Sequence, residues 1–270
     1  MGVVNLTPDS FFDGGKYLGE AAARARVDQV VVEGADILDL GAESTRPGAE
    51  AVAAEEQIAR LGLVLDYAVQ TRLPVSVDTT RPEVARWALE RGASLVNDVS
   101  CLADPHLATV AAEFGAIVIV MHSRGAMSAQ AGFSVYPEDA YGDVVMDVMK
   151  EWRQARGRAE ACGVSRSRIW FDPGLGFAKS AAHSRQLLLR LSDFSVLDCP
   201  IVVGASRKSF LGALDGSSPS QRLGGSIAAA VFAAERGAQV LRVHDVQETR
   251  QALLVSRTLR EGTEAACSGI

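Results

Sequence analysis

The sequence predicts an α/β fold: a TIM (β/α)8 barrel, closed by eight parallel strands that are each followed by a helix, in a single domain spanning residues 1–270. Three observations predict it. Short apolar runs alternate with longer amphipathic segments along the whole chain. No stretch rich in Pro, Gly or Ser divides the chain. Its length is one at which a single barrel is commonly built. An open, doubly wound sheet is the rival fold, because alternation alone does not establish closure.

Short apolar runs bounded by polar or turn-forming residues are the expected strands. They lie at Gly2–Leu6, Asp36–Gly41, Pro74–Val77, Ser94–Val99, Ala116–Met121, Arg168–Phe171, Pro200–Val203 and Gln239–Val243. The amphipathic segments between them are the expected helices, near Glu20–Glu33, Ala51–Gln70, Arg81–Arg91, Pro105–Glu113, Glu138–Ala161, Ser180–Leu191, Ser220–Arg236 and Gln247–Arg260. Gly34, Gly92 and Gly237 come just before a strand, where a helix commonly ends in a left-handed cap.

Composition excludes several classes of function. The formal net charge is −6, so no global positive field attracts nucleic acid or an anionic membrane. No apolar run approaches the roughly 20 residues of a spanning helix, and the first residues lack a basic segment with a cleavage site. The four cysteines have no zinc or dithiol spacing, so we expect them to be reduced. A cytoplasmic protein is expected.

Polar residues close every predicted strand. Because ligands bind beyond the carboxyl ends of parallel strands, these residues predict an active site. They are Asn5, Glu43–Arg46, Asp78, Asn97, Asp98, His122, Asp172, Ser206–Lys208, Arg242, His244 and Asp245. Any one of them could instead form a turn or cap a helix, but their occurrence at all eight strand ends favours a site.

The residue types in this ring suggest two kinds of ligand group. Asp78, Asn97 and Asp172 offer carboxylate and amide groups to a heterocycle that presents N–H donors and an acceptor. Lys208, Arg242 and His244 bring positive charge to the side where barrels commonly hold phosphate. Alternatively, Arg242 and His244 form an ion pair with Asp245 or a neighbouring carboxylate.

Three loops complete the predicted site. The turn Gly204–Ser206 precedes a short helix and could offer backbone N–H groups to an anion. The long loops Thr7–Leu18 and Ala42–Glu50 follow the first two strands and are rich in Gly, Pro, Ser and charged residues. Such loops are typical lids over an active site, although they could be plain connections.

Motifs at the strand ends identify a family. In order they are M-G-V-V-N-L-T-P-D-S-F at 1–11, E-S-T-R-P-G-A at 43–49, S-V-D-T at 76–79, N-D-V-S at 97–100, M-H-S-R-G at 121–125, D-P-G-L-G-F-A-K at 172–179, G-A-S-R-K-S-F-L-G at 204–212 and R-V-H-D-V at 242–246. Together they resemble dihydropteroate synthase, a family of pterin-binding enzymes and the target of sulfonamides. The resemblance implies condensation of p-aminobenzoate with 6-hydroxymethyl-7,8-dihydropterin pyrophosphate, giving 7,8-dihydropteroate and pyrophosphate in folate synthesis.

The resemblance also implies a role for each site residue. It assigns pterin binding to Asp78, Asn97, Asp172, Lys208 and Arg242, and pyrophosphate binding to Asn5, Arg46, Arg242 and His244. It assigns p-aminobenzoate to Phe11, Thr45, Pro47, Phe177, Ser206 and Lys208. A largely hydrated Mg²⁺ is expected at Asn5. The residues expected to act in catalysis are Arg46, Lys208, Arg242 and His244. The resemblance further implies a homodimer, for which Glu138–Ala161 and Ser220–Arg236 offer outer faces.

We expect the C–O bond to pyrophosphate to break early, so that the aniline nitrogen attacks a pterin-stabilised cation. Neutralisation of the leaving group and positioning by closed loops would supply the catalysis. Two alternatives remain. One is a pterin-binding barrel that transfers a methyl group to a corrinoid protein, for which the motifs at Ser44–Gly48 and Ser206–Lys208 have a less clear use. The other is an inactive paralogue that only binds pterins.

Overall fold

The computed structural model describes residues 1–6, 16–44, 51–125 and 134–261. Its strands are β1 Gly2–Asn5, β2 Leu38–Gly41, β3 Val75–Asp78, β4 Leu95–Asp98, β5 Ile117–Met121, β6 Ile169–Asp172, β7 Val202–Val203 and β8 Val240–Leu241. Its α-helices are α1 Lys16–Val32, α2 Ala54–Leu61, α3 Leu65–Gln70, α4 Pro82–Leu89, α5 His106–Glu113, α6 Val144–Ala161, α7 Ala181–Leu189, α8 Ser209–Gly212, α9 Leu223–Glu235 and α10 Val246–Glu261. Short 3₁₀ helices span Glu138–Ala140, Arg166–Arg168, Leu191–Leu197 and Pro219–Gln221.

The eight strands form a closed barrel. β1 to β6 pair in sequence order as one parallel sheet, and β7 pairs in parallel with β8. Two backbone seams join these parts: Phe171 N donates to Pro200 O at 2.9 Å, and Val3 N donates to Val243 O at 3.0 Å. Parallel bridges accompany both seams. The predicted barrel is therefore confirmed, and the open sheet is excluded because β1 and β8 are joined.

Two predicted helices are interrupted. The segment expected to be one helix over Ala51–Gln70 forms α2 and α3, because Val64 leaves the helical conformation at φ −142° while its side chain stays buried in the core. The segment expected over Glu138–Ala161 begins with a 3₁₀ turn, and α6 starts only after Asp143. The Asp143 carboxylate accepts from Val145 N at 2.9 Å and Met146 N at 3.2 Å, which caps the helix at that point.

The glycine caps lie where the sequence places them. Gly34, Gly92 and Gly237 have φ of 84°, 100° and 95°, in the left-handed region that glycine adopts without strain. Each turns the chain from the end of a helix into the next strand. These tight turns fix where the next strands begin.

The main core lies between the strands and the outer helices. Trp152 of α6 is fully buried and donates from its indole Nε1 to Val120 O at 3.0 Å. Its ring meets Phe171 edge-on at a centroid separation of 5.1 Å, and Phe171 contacts Phe194 in turn. This packing fixes α6 against β5 and β6. Among the described residues, no helix combines the length and the apolar character required to cross a bilayer.

Candidate active site

The carboxyl ends of β1, β3 and β4 bring three predicted residues to one side of the barrel mouth. Asp78 and Asn97 are register partners in adjacent strands. Between β1 and β3 lies Gly41, where a Cβ would approach Asn5 Oδ1 at 3.6 Å and Asp78 Oδ2 at 3.9 Å. The missing side chain on β2 therefore leaves open space between the Asn5 amide and the Asp78 carboxylate.

Arg242 is clamped between two carboxylates. Its Nε donates to Asp39 Oδ2 at 2.7 Å, and its Nη2 donates to Asp78 Oδ2 at 2.8 Å. Asp39 lies within β2 and is fully buried, so its charge requires a cation at close range. The alternative that gave Arg242 an ion pair with a carboxylate is confirmed, but the partners are Asp39 and Asp78 on β2 and β3. Asp245 pairs instead with Arg207, with Nη2–Oδ1 at 2.5 Å.

Arg242 and burial act on Asp78 in opposite directions. Burial raises the pKa of Asp78 to about 7, and the Arg242 guanidinium works against that rise. Burial acts to lower the pKa of Arg242, but the Asp39 and Asp78 carboxylates outweigh it and raise that pKa. Because the guanidinium keeps its charge at every physiological pH and lies 2.8 Å away, we assign Asp78 as ionised in the substrate-free protein.

Asp172 and Lys208 form the opposite side of the mouth. Asp172 closes β6 and accepts from Gly174 N at 2.7 Å, which orients its carboxylate. Burial raises the pKa of Asp172 and lowers the pKa of Lys208 to about 7, while each charge favours the other. Lys208 Nζ lies 3.8 Å from the centroid of the Phe177 ring. Phe177 is buried beside Val99 and Met121. It therefore packs in the core and also lies next to Lys208 at the site.

Ser206 and His244 meet where β7 and β8 end. His244 Nδ1 lies 3.0 Å from Ser206 Oγ, and His244 N donates to the same oxygen at 3.3 Å. Burial, aided by Arg242 and Arg207, lowers the pKa of His244 to about 4. The ring is therefore neutral at physiological pH, and it offers a hydrogen bond where the sequence predicted positive charge. The helix after this turn, α8, has four residues and begins only at Ser209.

Two members of the predicted polar ring do not face the mouth. Asp98 follows the inward-facing Asn97, so it points outward, because neighbouring residues of a strand face opposite sides. Its carboxylate holds the next turn, accepting from Ser100 Oγ at 2.6 Å and Leu102 N at 2.7 Å. His122 is fully buried behind the mouth, where its Nδ1 lies 2.9 Å from Lys179 Nζ and its Nε2 lies 3.0 Å from Glu151 Oε2.

The remaining predicted site residues lie outside the described residues. They are Phe11, Thr45, Arg46 and Pro47, together with most of both predicted lid loops. The base of the second loop is described. Glu43 accepts from Val52 N at 2.9 Å and from Gln57 Nε2 at 3.0 Å, and Gln57 Oε1 accepts from Thr79 Oγ1 at 2.9 Å. This chain of bonds ties the start of that loop to α2 and the end of β3.

Three residues near the site were missed by sequence reasoning: Asp39, Lys179 and Glu151. Asp39 interrupts an apolar strand. A carboxylate at such a buried position predicts that a cationic side chain lies next to it. Lys179 ends the motif after β6, where a charged residue is surrounded by apolar and small ones. Glu151 gave no signal, because it is one of many charged residues on the exposed side of α6.

The metal prediction concerns the Asn5 amide. The described residues contain no group of three or more His, Cys, Asp or Glu side chains able to hold a metal ion. A single amide oxygen beside the gap left by Gly41 suits a hard cation whose other ligands are water and phosphate oxygens. It does not suit a cation held by the protein alone.

Comparisons with known proteins agree with this architecture. Residues 1–244 match the model of a family described as pterin binding enzyme. Dihydropteroate synthase of Escherichia coli (strain K12) is 40% identical over 256 residues, which cover 94% of this chain and 89% of that protein.

Solved structures give the same result. A Xanthomonas albilineans dihydropteroate synthase with 4-aminobenzoic acid is 43% identical with a TM-score of 0.88, covering 96% of this chain and 92% of that one. The same enzyme in complex with 7,8-dihydropteroate has 41% identity, a TM-score of 0.84 and the same coverage. A Yersinia pestis dihydropteroate synthase with a sulfonamide drug has 36% identity and a TM-score of 0.88, covering 97% and 94%.

Proposed function

This chain belongs to the pterin binding enzyme family, and we propose that within it the chain acts as a dihydropteroate synthase. It is then a transferase that condenses 6-hydroxymethyl-7,8-dihydropterin pyrophosphate with p-aminobenzoate to give 7,8-dihydropteroate and pyrophosphate in folate synthesis. The observation that carries the proposal is the 40% identity to such an enzyme across 94% of the chain. The small-molecule ligands in the solved relatives support it.

Pterin recognition falls to Asp78, Asn97, Asp172, Lys208 and Arg242. The inward-facing carboxylates accept hydrogen bonds from the exocyclic amine and ring N–H groups, and the Asn97 amide both donates and accepts. Arg242 lies along the mouth with its Nη2 on Asp78, so it can cover the bound ring while still neutralising this carboxylate. Lys208 lies among Asp172, Asp78 and Arg242 and donates to an acceptor of the pterin.

Pyrophosphate binding falls to Asn5, Arg242 and His244, together with Arg46, which the motif resemblance assigns to this group. Because His244 is neutral, its contribution is a hydrogen bond, and the described positive charge comes from Arg242. Asn5 would hold the hydrated Mg²⁺, which would add further positive charge against the pyrophosphate oxygens. This division differs from one in which His244 carries charge, because protonation of His244 then adds nothing to pyrophosphate binding near neutral pH.

The aminobenzoate packs against the Phe177 ring and the Lys208 stem, which contact each other, and its carboxylate reaches the turn at Ser206. Phe177 presents a buried ring whose face is next to the Lys208 ammonium. Thr45, Pro47 and Phe11 are assigned to the same pocket by the motif resemblance.

The reaction needs no nucleophilic side chain. The C–O bond breaks with its electron pair leaving on pyrophosphate, the aniline nitrogen forms the new C–N bond, and one N–H proton is released. The residues contribute by binding both reactants in contact and by placing Arg242 and Lys208 where charge changes. Exclusion of water protects the electron-poor methylene from hydrolysis.

A homodimer and a cytoplasmic location are parts of the same proposal. An apolar groove of about 590 Å³ lies between α9 and α10, lined in part by Ile227, Ala252, Val255 and Leu259. Leu259 is 78% exposed, and covering it favours association with a second copy. The unpaired cysteines at 101, 162 and 199 agree with a reducing compartment. Sedimentation of the parent and of Leu259→Glu tests the dimer, since the variant should sediment as a monomer.

The decisive experiment incubates the pure protein with pterin pyrophosphate, p-aminobenzoate and Mg²⁺ and measures dihydropteroate and released pyrophosphate. Formation of both in equal amounts is expected. Pterin binding without product would support a binding paralogue instead. Methyl transfer from a methylated pterin to a corrinoid protein, with no dihydropteroate formed, would support the methyltransferase alternative.

A further inference from the structure

The segment that follows β6, residues 173–180, is buried along its whole length although it forms no helix or strand. Gly174, Gly176 and Ala178 have φ of 67°, 80° and 46°, so the backbone repeatedly enters the left-handed region. A buried loop must satisfy its backbone polar groups internally. This loop follows directly after Asp172 and contains Phe177, and both residues belong to the proposed substrate pocket.

A buried lysine satisfies one of those groups, the carbonyl oxygen of Phe177, while Asp172, Ser184, Tyr141 and His183 bond others. Lys179 is fully buried, and its Nζ donates to His122 O at 3.1 Å and Phe177 O at 2.9 Å, with His122 Nδ1 at 2.9 Å. Three acceptors therefore meet the three protons of one ammonium group. A Cβ at Gly174 would lie 2.0 Å from His122 O, so the loop passes directly against the end of β5. The ammonium joins that strand end to the loop.

A hydrogen-bonded chain links the Lys179 ammonium, through His122, to the partly exposed carboxylate of Glu151. Since Lys179 donates to His122 Nδ1, the His122 proton lies on Nε2, which donates to Glu151 Oε2 at 3.0 Å. Burial, with the Lys179 charge, lowers the pKa of His122 to about 4, so the ring is neutral. The hydrogen bond from His122, with those from Arg124, lowers the pKa of Glu151 to about 2. A carboxylate that is 31% exposed is thus linked through one imidazole to a buried ammonium.

We propose that Lys179, supported by His122 and Glu151, is a positioning residue for the condensation, holding the loop 173–180 so that Asp172 meets the pterin and Phe177 meets the aminobenzoate. The inference rests on the proposed function. Lys179 touches neither reactant; it acts on Asp172 through the turn whose Gly174 N–H orients that carboxylate. It acts on Phe177 by holding its carbonyl oxygen.

Loss of one proton from Lys179 should loosen this loop. Burial lowers the pKa of Lys179 to about 7, and the charged and titratable groups around it are Asp172, Cys101, Arg124 and Glu151 besides His122. The neutral amine has two protons and one lone pair, so either it loses one of its three acceptors or the His122 proton moves to Nδ1 and the bond from Nε2 to Glu151 is lost. Removing the Glu151 charge favours this neutral form. The charges that act on Lys208 are those of Asp172, Arg242 and Asp78, so the two lysines respond differently to a change at Glu151.

The test compares Glu151→Gln with the parent and with Glu160→Gln, a change of the same kind on the exposed side of α6. Glu160 has only a 3.9 Å contact with Arg156, and its removal should leave kinetics unchanged. For Glu151→Gln we expect kcat/KM to fall by roughly 3-fold to 10-fold at about pH 8 and by less at lower pH. The alkaline limb of the profile of kcat/KM against pH should therefore move to lower pH. KM for both substrates should rise.

A second variant, Lys179→Met, removes the ammonium while keeping its stem. If it folds, kcat/KM should fall roughly 100-fold, because the two substrate-contacting residues lose their fixed positions. If it does not fold, Glu151→Gln settles the question alone. A Glu151→Gln protein with lower thermal stability but the parent's KM values and pH profile would overturn the inference. An inactive parent would refute the proposed function itself, so the two failures are distinguishable.

Discussion

The clamp on Arg242 yields the most detailed prediction, through the variant Asp39→Asn. Asp39 Oδ2 accepts from Arg242 Nε at 2.7 Å, and the amide oxygen of asparagine can keep that contact. Oδ1 has no hydrogen-bond partner among the described residues, so an amide nitrogen can take its place without breaking a bond. The substitution therefore removes one negative charge from the floor of the site and preserves its shape.

The expected magnitude follows from the loss of charge assistance. A hydrogen bond to a charged group contributes about 1.5–3 kcal/mol and a neutral one about 0.5–1.5 kcal/mol, so the free energy of unfolding should fall by about 1–2 kcal/mol. If Arg242 loses the same amount, about 1–2 kcal/mol, in its stabilisation of the transition state, kcat/KM should fall roughly 5-fold to 30-fold. Burial raises the pKa of Asp78 to about 7, and Asp39 adds to that rise. Without the Asp39 charge, the acidic limb of the pH profile should move to lower pH.

Urea unfolding followed by tryptophan fluorescence measures the first effect, and initial rates across pH measure the second. Asp36→Asn is the matched control, because Asp36 is an exposed carboxylate three positions earlier in the chain. It should leave both quantities unchanged. If Asp39→Asn matched the parent in unfolding energy and in the position of the acidic limb, Asp39 would not hold Arg242 as described.

Three further residues give predictions of their own. Phe177→Leu should raise KM for p-aminobenzoate roughly 3-fold to 10-fold with little change for the pterin substrate, because a ring face beside Lys208 is lost; equal changes in both KM values would contradict this. Asn5→Leu should raise the Mg²⁺ concentration for half-maximal rate severalfold, and an unchanged titration would remove Asn5 as its ligand. Burial lowers the pKa of Lys208 from 10.5 to about 7, so the folded chain binds fewer protons there than the unfolded chain between these values. The unfolding energy should therefore rise with pH across that window, and less steeply in Lys208→Met; equal slopes in urea titrations would argue against it.

Most of the site could be predicted because strand ends and their polar residues are local features. Asp78, Asn97, Asp172 and Arg242 each follow a short apolar run, and a parallel barrel brings such ends together. The direction in which a side chain points was harder to obtain. Asn97 and Asp98 are adjacent and both polar, and only the strand register tells which one faces inward.

Contacts between distant parts of the chain could not be predicted. Arg242 and Asp39 are 203 positions apart, and Lys179 and His122 are 57 positions apart. Each residue alone looks like an ordinary polar group near a strand. The break between α2 and α3 was missed for a related reason: apolar residues continue across it, and tertiary packing of Val64 overrides the helical pattern.

The seam between Val3 and Val243 has a consequence for how the enzyme is made. A chain synthesised from its first residue exposes the open edge of β1 until β8 emerges, some 240 positions later. That pairing joins residues about 240 positions apart, so it carries a large loop-closure entropy. Arg242 is the residue just before Val243, and the same event carries it to the mouth. The contacts of Arg242 with Asp39 and Asp78 therefore depend on closure of the last strand against the first.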